Sequence, residues 1–179
     1  VQKSPLHKRL ERMNWMYSDS PASRILGENR DKSNGQTLLI GWDEYDTRWK
    51  TKHLDTENVS IELLDGMLRA ENVFRGYTYR LAYASEGNVY RAEVPFEGVV
   101  GPSSMVYVKL DFYNESLELI SSSKWDRLAP GDYRVPIVIG PEEPAPAGSK
   151  YVRLYIRFFQ QEMGDWVNVG DPELIEFSD

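Results

Sequence analysis

The sequence predicts an all-β domain: two antiparallel sheets packed face to face, preceded by a short helical or extended N-terminal arm. Three observations predict it. About ten short apolar runs are separated by turn residues roughly every 8–12 positions, the spacing of sandwiches and barrels. Two of these runs alternate between aliphatic or Phe side chains and polar or tyrosyl ones, from Val106 to Tyr113 and from Tyr151 to Phe158, within Met105 to Tyr113 and Tyr151 to Phe159. No helix-length segment separates consecutive runs, which argues against a parallel α/β sheet.

Ser4 and Pro5 form a helix-start signal, and Leu6, Leu10 and Met13 recur at near-helical spacing, so a short amphipathic helix is expected over Pro5 to Tyr17. Ser18 to Pro21 would stop it, and Arg24 to Gln36 is polar. The chain is therefore divided into an arm, residues 1–36, and a sandwich domain, residues 37–179. The arm is expected to touch the sandwich less than any later segment of equal length, packing on its end or docking on a partner.

From Thr37 onward the pattern is β. Thr37 to Trp42 is a short apolar run. Val59 to Leu64 and Met67 to Phe74 flank Asp65-Gly66, a two-residue hairpin signal. Tyr77 to Ala84 and Val89 to Phe96 flank a turn cluster at Ser85 to Asn88. Met105 to Tyr113 comes next, then Leu117 to Ser121. Tyr133 to Ile139 contains Pro136, which calls for an edge or a bulge. Pro141 to Gly148 reads as a loop. Tyr151 to Phe159, Trp166 to Val169 and Leu174 to Phe177 complete the strands. The two alternating runs predict a core of Val106, Val108, Leu110, Phe112, Val152, Leu154, Ile156 and Phe158.

Bulk properties narrow the function. With 179 residues and 41% hydrophobic residues, one domain can bury a full core. The net charge of −7 and the absence of a Lys/Arg block argue against a duplex nucleic-acid binder. The absence of cysteine removes disulfides and thiolate metal sites. No apolar stretch is long enough to span a membrane as a helix, and the N-terminus carries no signal-peptide pattern. Only His7 and His53 are available as imidazoles, and there is no Gly-x-Ser-x-Gly elbow. Glycosidases need two suitably placed carboxylates. Glu173 and Glu176 point to opposite strand faces, and Asp111 and Glu115 would lie ~13 Å apart along a strand, too far for either glycosidase geometry. The chain is therefore expected not to be an enzyme.

Binding candidates are aromatic. Tyr107, Lys109, Asp111 and Tyr113 line the second face of one alternating run, and Tyr151, Arg153, Tyr155, Arg157 and Phe159 line that of the other. Tyr and Arg are the residue types that dominate binding hot spots, although cross-strand aromatic pairing within the sheet gives the same pattern. Trp42, Tyr45 and Trp49 sit in a polar segment, where they either meet a ligand or fold back as a lid on the core. Trp125 and Trp166 are lone loop aromatics open to the same two readings. Acidic residues gather at Asp43, Glu44 and Asp46, and again at Asp171 and Glu173, an oxygen-rich chemistry suited to calcium or to plain solvation.

The stretch from Ser104 to Phe177 resembles the C-terminal half of a jelly-roll carbohydrate-binding module. Val106-Tyr-Val-Lys-Leu-Asp-Phe-Tyr113 resembles the central strand that ends in a Phe-Tyr turn. Pro144-Ala-Pro-Ala-Gly-Ser-Lys-Tyr-Val-Arg-Leu154 resembles the Pro/Ala/Gly loop and the strand after it. Gly164-Asp-Trp-Val-Asn-Val-Gly-Asp-Pro-Glu-Leu174 sits where such modules place a Gly-rich turn and a final strand. The resemblance implies a two-sheet jelly roll and a non-catalytic module that holds glycan by aromatic stacking. That module would belong to a larger extracellular or cell-surface protein. The candidate contacts, from the alternating faces and the aromatic clusters, are Trp42, Tyr45, Trp49, Tyr107, Tyr113, Trp125, Arg153, Tyr155 and Arg157. It implies no required cofactor, with Asp171 as the ligand of a structural calcium. The partner would be a polysaccharide or cell-surface glycan, with no nucleic acid and no membrane span. The same fold serves phage decoration, neck and tail proteins, so the alternative is a virion component bound to neighbouring subunits. A small hydrolase or lyase is the third reading.

Overall fold

The computed structural model describes residues 24–25, 34–42, 44–53 and 60–178. The expected helix over Pro5 to Tyr17 lies outside these residues, as does Asp43. Within them the chain forms two antiparallel sheets stacked as a β-sandwich. The boundary drawn after residue 36 falls inside a strand, because β2 runs Gly35–Ile40. One further arm segment, β1 (Arg24–Ile25), pairs with β11 (Gly131–Ile139).

The first sheet is organised by β7 (Val89–Val100), a strand of 12 residues. Its second half is flanked by β11 and by β14 (Trp166–Val169). Its first half is flanked by β12 (Glu142–Pro144) and β15 (Glu173–Phe177). Each side of β7 is thus covered by two successive strands. Between β11 and β12, a side chain on Gly140 would place its Cβ 2.0 Å from the Ala92 carbonyl oxygen, so only glycine fits. The sheet continues through β14 to the hairpin of β5 (Met67–Glu71) and β4 (Ser60–Leu64), and through β15 to β2. The β4–β5 turn is Asp65-Gly66, with φ of 50° and 77°, the doubly positive geometry that such a two-residue hairpin requires.

The second sheet has the order β10 (Asp126–Leu128), β8 (Met105–Tyr113), β13 (Tyr151–Phe159), β6 (Arg75–Tyr83), β3 (Lys50–His53), with β9 (Leu119–Ser122) also on β8. The register of β8 on β13 is unbroken from Tyr113↔Tyr151 to Met105↔Phe159. All eight predicted core residues on these two strands are fully buried at 0% exposure, which fixes their aliphatic face inward. They pack against Leu68, Ala70, Val94, Phe96, Val167 and Leu174 from the first sheet.

Strands β10 and β12 lie outside those expected. They are three-residue strands without alternation of their own, and they exist through pairing with β8 and β7. The turn between β6 and β7 does not make a hairpin but carries the chain from one sheet to the other. Pro136 lies inside a register irregularity of β11 against β7, between Tyr133 and Ile137, the bulge its missing N–H demanded.

Candidate binding face

The face of the second sheet turned away from the core carries the chemistry. Residues directly opposite each other in the ladder share this face. One row reads Arg127, Tyr107, Arg157, Tyr77, Lys52 across β10, β8, β13, β6 and β3. The next reads Lys109, Tyr155, Tyr79, Lys50. Then come Asp111, Arg153, Leu81, and at the end Tyr113, Tyr151, Tyr83. Beyond the first row lie Met105, Phe159 and Arg75. Aromatic and cationic side chains are therefore interleaved on this face, alternating along β13 and across the first row.

The rings form a continuous array. The Tyr107 and Trp125 rings are nearly parallel, 6° apart, with centroids 4.1 Å apart. Tyr155 lies 6.4 Å from Tyr107 and 5.3 Å from Tyr77, and Tyr77 lies 6.1 Å from Tyr79. Cations sit over these rings. Lys109 Nζ is 5.0 Å from the Tyr155 centroid and 5.8 Å from Trp125. The Arg153 guanidinium is within 4.7 Å of Tyr155, 4.9 Å of Tyr79 and 5.5 Å of Tyr113. Arg157 stands over Phe159 at 5.1 Å and donates to the Tyr107 hydroxyl at 3.1 Å.

Asp111 orders this lattice. It is fully buried, and its Oδ2 accepts from Arg153 Nε at 3.0 Å and Nη2 at 2.6 Å. Its Oδ1 accepts from the Ser122 hydroxyl at 2.5 Å and faces Lys109 Nζ at 3.3 Å. One carboxylate thus fixes two cations at the level of the rings, a charge-assisted arrangement that sets side-chain position. Burial raises the Tyr107 and Tyr113 hydroxyl pKa values above the ordinary range, and it pushes Tyr155 up to about 12, with the neighbouring Tyr107 next in effect. The phenols are therefore neutral at physiological pH.

The structure brings together Tyr107, Tyr113, Trp125, Arg153, Tyr155 and Arg157 on this face. The expected openness of the face is corrected in part: Tyr107 and Tyr155 are buried at 1% and 8% exposure, forming its floor, while Trp125 and Tyr113 are half-buried at its surface. Trp42, Tyr45 and Trp49 go elsewhere. Trp42 and Trp49 pack at 4.5 Å between their rings inside the core, and Trp42 Nε1 donates to the Val169 carbonyl at 3.0 Å. Tyr45, in the four-residue helix α1 (Tyr45–Arg48), meets Trp42 edge-on at 5.9 Å and exchanges a hydrogen bond with Thr51 at 2.7 Å. This trio is the lid on the core. Trp166 is on β14 in the other sheet, beneath the Arg69 guanidinium at 4.6 Å.

Asp171 is exposed and lies against Gly41. Among the described residues no three His, Cys, Asp or Glu side chains gather closely enough to hold a metal ion.

Sequence reasoning missed Tyr77, Tyr79, Lys50 and Lys52. The alternation Tyr77-Thr-Tyr79-Arg-Leu81 was visible, but not the face to which its tyrosines belong. β3 is four polar residues whose pairing is set by β6. That pairing stops at Lys50↔Tyr79, leaving Arg80–Tyr83 at the sheet edge. Beside that edge is a cleft of about 470 Å³ between Leu38 and Leu39 of β2 and Arg80 to Tyr83 of β6, with Arg48, Leu117 and Tyr151 around it. Its rim is open and mixes apolar residues, Tyr83 at 81% and Leu117 at 57% exposure, with Arg48 and Arg80.

No family model matches the chain, and no curated protein matches it. Solved structures do. The K3 cleaved adhesin domain of Lys-gingipain from Porphyromonas gingivalis is 15% identical, with a TM-score of 0.51 over 78% of this chain and 98% of that one. The CBM22-1 xylan-binding domain of Paenibacillus barcinonensis Xyn10C is 9% identical, with a TM-score of 0.51 over 81% and 97%. The enzymatically active domain of tailspike protein 4 from bacteriophage CBA120 gives a TM-score of 0.54 at 9% identity over 70% of this chain, which spans only 19% of that chain. Identities this low speak to architecture. The chain is a jelly-roll β-sandwich, the fold used by carbohydrate-binding modules.

Proposed function

We propose that this chain is a non-catalytic glycan-binding module and that the outer face of its second sheet is the binding surface. The observation that carries the reading is the array of Tyr77, Tyr79, Tyr107, Trp125 and Tyr155 on one face, with cations fixed between the rings. Sugar rings stack on flat apolar faces and hydrogen-bond to neutral phenols and guanidinium groups around them. A similar fold in the xylan-binding domain supports the reading. So does the acid content of the face: among the described residues of its ladder rows, the single carboxylate is Asp111, already engaged by Arg153 and Lys109, whereas glycoside hydrolysis uses two. Residence in a larger extracellular or cell-surface protein follows from such a role and is part of the proposal.

The test is Tyr79→Ala. The ring is half-buried on the surface of the array, so its loss removes a stacking platform while the backbone pairing of β6 remains. Retention on polysaccharide in affinity electrophoresis should weaken by about 1–2 kcal/mol, roughly 5- to 30-fold, with the melting temperature little changed. A folded wild-type domain that retains no polysaccharide across a broad panel, neutral and charged, defeats the proposal. Co-purification with a protein lattice instead would return the assembly reading.

A further inference from the structure

The charge of the binding face is opposite to that of the chain. The whole sequence has 28 Asp and Glu against 21 Lys and Arg, a net charge of −7. On the outer face of the second sheet the ladder places Lys50, Lys52, Arg75, Lys109, Arg127, Arg153 and Arg157. A single acid, Asp111, accompanies them among the described residues of those rows. A third of the 21 basic residues thus share one sheet face with a single acid among the described residues of its rows. A face drawing side chains at random from this composition would carry more acids than bases.

The placement also bears on what the charges do. Asp111 neutralises at most one of the two cations it touches, Arg153 and Lys109. Lys50 and Lys52 are exposed, on the same rows as the Tyr79/Tyr155 and Tyr77/Tyr107 rings, and neither forms an ion pair with a described residue. Guanidinium and ammonium groups at ring height suit a ligand that presents its own rings and, at their edges, anionic groups. A neutral glycan would use the rings and give Lys50 and Lys52 no anionic counterpart.

Building on the glycan reading of this face, we infer that its ligand is an anionic polysaccharide, one whose sugar rings carry carboxylate or sulfate groups. Tyr77, Tyr79 and Tyr155 take the rings, and Lys50, Lys52, Lys109 and Arg153 meet the anions. Fields from these cations also attract a polyanion from a distance against the net negative charge of the rest of the chain, so binding is salt-sensitive.

The experiment measures the affinity of the full chain for polygalacturonate, chondroitin sulfate, neutral galactan, neutral xylan and single-stranded poly(dT), each at low and high sodium chloride. The expected result is that polygalacturonate or chondroitin sulfate binds at least about tenfold more tightly than either neutral polymer, and that the advantage shrinks at high salt. Whichever of the two is preferred identifies carboxylate or sulfate as the recognised group. Lys50→Gln with Lys52→Gln should weaken anionic-polymer binding about fivefold or more, since two exposed charges are lost from an edge strand, with thermal melting confirming the fold. The salt series on the wild-type chain tests the same point without any variant. Neutral polymers bound as tightly as the charged ones, with no salt effect, would overturn the anionic inference and leave the glycan reading intact. No polysaccharide bound would overturn both. Poly(dT) bound more tightly than every polysaccharide would also overturn both, in favour of single-stranded nucleic acid, which stacks on aromatic, basic surfaces too.

Discussion

Two groups of aromatic residues in this molecule are almost equally buried, yet they sit in different surroundings. Trp42 and Trp49 are 5% and 3% exposed, and Tyr107 and Tyr155 are 1% and 8% exposed. The tryptophans join the main core, among aliphatic side chains between the sheets, and their position closes one end of the sandwich. The tyrosines form a separate cluster with Met105 on the far side of the second sheet, packed with Trp125, Tyr77, Tyr79 and Phe159. Three cations, Lys109, Arg153 and Arg157, stand over that cluster. Burial alone does not separate a structural ring from a ring in a binding surface. The company it keeps differs: aliphatic side chains and each other's rings in one case, cations and tyrosines in the other.

The sharpest way to break this comparison is Trp42→Ala. It removes a large core ring and its hydrogen bond to Val169, and should cost about 3–5 kcal/mol of stability in chemical denaturation. Trp125→Ala, on the half-buried side of the Tyr107 stack, should cost only about 1 kcal/mol. Equal losses for the two substitutions would show that the outer cluster is as much core as the tryptophan pair.

A smaller effect lies in alkaline solution. The Tyr155 pKa is raised from 10.0 to about 12 in the folded chain. Between those values the unfolded chain has released the proton while the folded one retains it, so stability falls as pH rises from about 10 to about 12 and is fully present below that window. Tyr155→Phe removes this group's share, and its denaturation free energy should decline less steeply over the window than that of the wild type. Parallel declines would mean that Tyr155 is not held in an environment that resists ionisation.

Much of this fold is legible in the amino-acid sequence. Met105–Tyr113 and Tyr151–Phe159 are central strands paired on both sides, and their alternation records a core on one face. Their faces follow residue by residue from that pattern. Asp65-Gly66 marks its hairpin because few other residue pairs tolerate two positive φ values. The short strands Asp126–Leu128 and Glu142–Pro144 escape such a reading because nothing intrinsic makes them strands; their partners β8 and β7 do. The site is half legible. Tyr107, Tyr113, Arg153, Tyr155 and Arg157 lie on the two alternating strands, and the sequence puts them on one side of each. That β6 brings Tyr77 and Tyr79, and β3 brings Lys50 and Lys52, to the same side depends on which strands become neighbours, a long-range outcome that local pattern does not encode. Trp42 and Trp125 both sit in polar segments. Only the packed structure sends the first into the core and the second onto the outer sheet.

The claim that ligand binds the outer face of the second sheet can be tested directly by following the indole N–H signals of the tryptophans by NMR during titration with the polysaccharide bound most tightly in the charged and neutral panel. Trp125 stacks on Tyr107 within the proposed surface, whereas Trp42 and Trp49 lie in the core, with the Trp42 Nε1–H committed to Val169. The account predicts that the Trp125 signal moves with ligand while those of Trp42 and Trp49 stay in place. Movement of the Trp42 and Trp49 signals with Trp125 unchanged would contradict it and would put the ligand at the lidded end of the sandwich.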